Sequence, residues 1–256
     1  WIVGQSQAKT NGLTISGGVL ERWENAYAAI RSLNEFIKKV PEAPVDEAFR
    51  KSRTAEARFL RAYNYFSMVK RYGGVPLITE PQDINASHEE LYRTRNTEQE
   101  IYDFVLSEMD AIANDLPERN AADYGRPSKY TALALKCRAA LYAASIATYG
   151  TVELNGVTGI SASGTGYYQQ AYDAAKLIMG SGQYALYNAD NDKVTNFKNI
   201  FLQKNNTEVI WAVRHDYMQR NTGGNGWVWD FFQAPKPHGW NAGNQDAPYL
   251  EMAEEY

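Results

Sequence analysis

Cysteine is all but missing: Cys137 stands alone among 256 residues. No intrachain disulfide can form, and a cysteine-based metal cluster has no ligands to draw on. Histidine is almost as scarce. His88, His215 and His238 lie far apart, with no H-x-x-x-H pair to hold zinc on a helix face, and each reads as a surface or hydrogen-bonding histidine. No apolar run approaches the roughly 18 residues that mark a membrane-crossing helix, and no signal-peptide pattern is present. A strong excess of either charge is missing too. Lys and Arg total 26 against 30 Asp and Glu, a net charge of −4 without a long basic run, so nucleic acid is not expected as a partner.

Enzyme signatures are equally thin. Gly159-Ile160-Ser161-Ala162-Ser163 fails the last position of a G-x-S-x-G elbow, and Gly224-Asn225-Gly226 is followed by Trp229 where a dinucleotide loop wants glycine. Asn188, Asp190 and Asp192 alternate like the start of a calcium loop, but Lys193 replaces the glycine at position six and Asn199 the glutamate at position twelve, which leaves a turn. Glu56 reads as an ion-pair partner on a helix rather than a catalytic acid. No catalytic residue, metal or cofactor is assigned.

What the chain does have is helical periodicity. Between Ala55 and Ile78, Phe59, Ala62, Tyr63, Phe66 and Val69 recur at three- and four-residue steps and form one face to be buried, leaving Arg58, Arg61 and Lys70 to solvent. Gly73 and Gly74 supply a left-handed cap and Pro76 blocks extension, so the helix stops at Tyr72. Asp46 caps its start. Before it, Leu20, Trp23, Tyr27, Ile30, Leu33 and Ile37 stripe a helix from Val19 to Val40, ended by Pro41 and Pro44.

Residues 79–96 form a long polar connection. Thr97 and Glu100 make a capping box ahead of a helix striped by Ile101, Phe104, Val105, Met109 and Ile112, ending at Leu116-Pro117. Ser128 caps Lys129 to Tyr149, apolar nearly all round and so packed between several neighbours, with Cys137 in the core. A fifth helix runs from Tyr167 to Met179, stopped by Gly180 and Gly182, and a short sixth from Asn196 to Leu202. The expected fold is mostly α, with degenerate tetratricopeptide-like helix pairs over about 19–203.

After Thr207 the texture changes. Glu208 to Val213 is strand-like, and Asn221 to Asp246 turns Gly-, Asn-, Pro- and Trp-rich, an irregular loop-rich C-terminal region over about 207–256. Trp227, Trp229, Phe231 and Trp240 fall among Asn225 and Asn241. A sugar ring wants a flat indole for its C–H face and amides for its hydroxyls, so these six are the candidate ligand residues. The opposing reading is that they pack the segment onto the helices.

Four segments resemble one family in order. E-A-R-F-L-R-A-Y-N-Y-F at Glu56 to Phe66 closes with R-Y-G-G-V-P-L; W-x-x-A-Y-x-x-I-x-x-x-N runs from Trp23 to Asn34; G-R-P-S-K-Y-T-A-L-A-L from Gly125 to Leu135; and A-Y-D-A-A-K-L-I-M-G-S-G-Q-Y-A-L from Ala171 to Leu186. Together they strongly resemble the SusD/RagB outer-membrane nutrient-binding lipoproteins. The resemblance implies one domain over 1–256, part of a longer protein carrying an N-terminal lipid anchor. It also implies a bacterial cell-surface role without catalysis: capture of oligosaccharide, or peptide, and delivery to a TonB-dependent outer-membrane transporter. A peptide-binding helical scaffold and a glycoside hydrolase are the alternatives.

Overall fold

The helix boundaries follow from the caps. The computed structural model describes residues 21–119, 125–204 and 206–212. Among them are seven helices and no strand: α1 Trp23–Lys39, α2 Glu47–Tyr72, α3 His88–Leu91, α4 Glu98–Ile112, α5 Lys129–Tyr149, α6 Gly164–Gly180 and α7 Lys193–Leu202. Asp46 accepts from the Phe49 N–H to start α2. Thr97 and Glu100 bond reciprocally to start α4, at 3.1 and 2.7 Å. Ser128 does the same for α5 with Thr131. Each cap stabilises by about 1 kcal/mol, enough to place an end but not to hold a fold.

Burial holds it. From Trp23 to Ala212 the chain forms one compact unit in which successive long helices pack side by side: α1 on α2, α2 on α4, α4 on α5 and α5 on α6. Phe59, Tyr65, Met68, Ile101, Tyr102 and Met109 are fully buried between them, each contributing roughly 1.5–3 kcal/mol. Ala139, Ala140, Ala143 and Ala144 of α5 let α6 come close. Gly164 opens α6 where any side chain would strike Thr148 and the Ala144 carbonyl. The helix starts there rather than at the expected Tyr167, behind Ser163, which accepts from the Thr165 N–H.

Several expectations need correction. Arg61 is buried and Arg58 half-buried, because carboxylate and amide partners arrive from other helices. Tyr63 is 43 % exposed, lying on the flank of α2 edge-on to Trp211 rather than in the core. Cys137 sits at the core margin, half-buried. Leu141 and Tyr142 on α5 are nearly half exposed, so that helix is covered on fewer sides than its composition suggests. Residues 208–212 pair with no strand among the described residues. The polar connection holds a short helix, α3, set by a Ser87/Glu90 capping box. The Asn188–Asp192 segment is a turn: Asp192 takes the Asp190 carboxylate on its N–H and caps α7 through the Val194 and Thr195 N–H groups.

Candidate functional site

The segment after α2 is held on every side. At Gly73, φ is +68°, open chiefly to glycine, and a Cβ would lie 2.3 Å from the Val157 carbonyl oxygen. At Gly74 it would lie 1.9 Å from the Asn96 carbonyl oxygen, while the Gly74 N–H donates to Val157 at 2.6 Å. Side chains then take the following backbone groups one by one. Tyr27 donates to the Pro76 carbonyl at 2.6 Å. Asn34 and Tyr65 both donate to Ile78, and the Ile78 N–H returns to the Tyr65 hydroxyl. Arg61 donates to the Thr79 carbonyl at 2.8 Å, and Asn96 accepts from the Leu77 N–H at 2.9 Å. Burial pushes the Tyr65 phenol up to about 12, so it stays a donor at any physiological pH.

Two buried carboxylates are each gripped by two arginines. Glu108 takes Arg58 through both oxygens, at 2.6 and 3.1 Å, and Arg61 at 3.0 Å. Glu56 takes Arg53 at 2.8 Å and Arg126 at 2.7 and 2.9 Å. Burial would raise both carboxyls, but the arginine bonds outweigh it and hold them below the usual range. Both therefore stay ionised at neutral pH and poorly suited to donate a proton, which weighs against a glycosidase acid at either position. Glu98 differs. Burial raises its carboxyl, only partly offset by the Gly159 N–H at 2.6 Å.

Between α1, the segment 76–82 and the end of α3 lies a groove of about 530 Å³. Trp23, Tyr27 and Tyr92 supply aromatic surface, Ile30, Pro76 and Pro81 apolar surface, and Glu24, Arg31, Glu80, Gln82 and Arg93 polar groups. Tyr92 stacks on His88 at 4.3 Å and 19°, and the residue is 71 % exposed. A smaller polar cavity of about 220 Å³ lies beside Glu56, lined by Arg53, Glu118, Arg119, Arg126 and Ser128. The six candidates read from the sequence, Trp227, Trp229, Phe231, Trp240, Asn225 and Asn241, lie outside the described residues. The groove was not anticipated, although S-x-x-E at Ser87 to Glu90 marks the helix that presents Tyr92.

Helices stacked in sequence over one core, with apolar and aromatic surface left open in a groove, define a helical-repeat scaffold suited to binding. A family model described as starch-binding associating with outer membrane matches residues 3–141. The match spans more than half the chain, and the chain belongs to this SusD-like family. SusD-like protein P38 of Formosa agariphila is 26% identical over 220 residues, covering 82% of this chain and 37% of that protein. A SusD-like protein of Bacteroides ovatus is 25% identical over 212 residues, covering 78% and 34%. Among solved structures, a SusD-like protein of Bacteroides fragilis superposes with a TM-score of 0.64 at 27% identity, covering 80% of this chain and 35% of the other. A laminarin-binding SusD-like protein shares the fold with a TM-score of 0.59 at 24% identity, covering 82% and 39%. The chain spans about a third of the length of the curated relatives it matches.

Proposed function

We propose that this protein binds oligosaccharide at the bacterial outer surface without catalysis and delivers it to a TonB-dependent outer-membrane transporter, tethered by an N-terminal lipid anchor. The observation that carries the reading is the match over residues 3–141 to a family described by starch binding and association with the outer membrane. Relatives of the same fold include the laminarin-binding protein and one crystallised with a xylogluco-oligosaccharide. The arginine clamps on Glu56 and Glu108 agree with this reading only so far as they make these two buried carboxylates poor glycosidase acids.

Trp227, Trp229, Phe231 and Trp240 are proposed to stack on the sugar, with Asn225 and Asn241 meeting hydroxyls. The test is a glycan array followed by calorimetry on the protein as its organism produces it, beside Trp227→Ala, Trp229→Ala and Trp240→Ala. Binding that is lost in one variant with unchanged circular dichroism supports capture on the aromatic loop. Peptide binding with no glycan bound would overturn the reading in favour of a peptide scaffold. Recovery of a β-barrel transporter with the protein from detergent-solubilised outer membrane tests the delivery step.

A further inference from the structure

We propose that the groove between α1, residues 76–82 and the end of α3 is an oligosaccharide subsite separate in sequence from the aromatic loop, with a pyranose ring stacking on Tyr92. The inference rests on the glycan-binding reading and places part of that binding on described residues. The volume of about 530 Å³ falls in the usual range for a small-ligand site. Trp23 and Tyr92 give it aromatic surface, and Pro76 and Pro81 apolar surface.

The polar chemistry selects among ligands. Arg31 and Arg93 balance Glu24 and Glu80 around the rim, so the groove offers donors and acceptors without a net field. That suits a neutral polyol, and suits a phosphate or a polycation poorly. Glu80 and Arg93 make no hydrogen bond or ion pair among the described residues and are exposed, ready for hydroxyls. The platform is also set in advance, which lowers the ordering cost of binding. One face of Tyr92 rests on His88, the α3 turn beneath it is closed by the Ser87/Glu90 capping box, and Gln82 ties that turn to the rim through the Glu90 carbonyl. Arg31 in turn donates to the Gln82 carbonyl at 3.2 Å.

The experiment is calorimetry with the best glycan from the array, on wild type, Tyr92→Ala, Tyr92→Phe, Arg93→Ala and Trp227→Ala. Tyr92 is exposed, so its removal leaves the fold intact by circular dichroism. Tyr92→Ala is expected to weaken binding roughly five- to tenfold, as loss of one stacked ring does, with Tyr92→Phe near wild type. Wild-type binding that Tyr92→Ala and Arg93→Ala leave untouched overturns the groove subsite and leaves the glycan reading standing. No glycan binding by wild type overturns both. Binding of a proline-rich peptide that Tyr92→Ala abolishes, with glycan binding unchanged, makes the groove a peptide site and overturns the inference as well.

Discussion

Arg61 lies 3.0 Å from Glu108 inside the helical array, although 47 residues separate them in sequence. The same guanidinium reaches the Asn34 side chain at 2.8 Å and the Thr79 carbonyl at 2.8 Å. One buried cation thus joins α1, α2, α4 and the segment that follows α2. Breaking such a pair from one side leaves a charge uncompensated, at a cost of about 3–5 kcal/mol. Glu108→Ala strands the buried Arg61 and is expected to lower stability by that order in urea unfolding; Arg61→Ala leaves Glu108 paired with Arg58 and should cost less, and Lys51→Ala, at an exposed pair with Glu47, should change it little.

The clamped carboxylates set an acid limit. Glu56 and Glu108 titrate below the ordinary carboxyl value, so their contribution is complete above about pH 4.3 and is lost as the pH falls through their folded values. Urea midpoints measured from pH 7 to pH 3 should drop at the acid end. In Glu108→Gln the midpoint should be lower at pH 7 and the acid drop shallower.

Glu98 carries the opposite sign. Its raised carboxyl costs stability at neutral pH, a cost that fades as the pH falls through its folded value toward that of the unfolded chain. Glu98→Gln keeps an oxygen for the Gly159 N–H and removes the buried charge. Its melting temperature at pH 7 should equal or exceed that of wild type, and a clear fall would show that the charge is needed.

Gly74→Ala is expected to be among the most damaging small substitutions in the chain. Its Cβ would fall 1.9 Å from the Asn96 carbonyl oxygen, a backbone atom that cannot swing aside. Gly166→Ala, on α6 with open space around it, should be neutral or slightly stabilising. Thermal unfolding of the two variants side by side separates crowding from ordinary helix propensity.

Local chemistry was the legible part. Asp46, Thr97 and Ser128 cap where their side chains predict, and Tyr72 ends α2 because Gly73 adopts a positive φ. Its ψ of −140° lies outside the left-handed helical region that the expected cap called for. The surroundings of Arg61 could not be read, since Asn34, Thr79 and Glu108 meet only once the helices stack. Tyr63 shares the period of its buried neighbours but falls at the edge of the stripe, where Phe59 and Trp211 cover it only in part. Tyr92 was hidden for a related reason: its value depends on α1 facing α3 across a groove, which no single stretch of sequence encodes.

The run from Gly73 to Thr79 also fixes where the gene can change in length. Tyr27, Asn34, Arg61 and Asn96 each meet one particular backbone group along it, and Tyr65 meets both those of Ile78. A codon inserted or deleted between Gly74 and Ile78 would move the later groups past their partners by one residue and leave several buried polar atoms unmatched at once. Residues 83–86, exposed for the most part and tied by turn bonds of their own, can lengthen or shorten without disturbing that alignment.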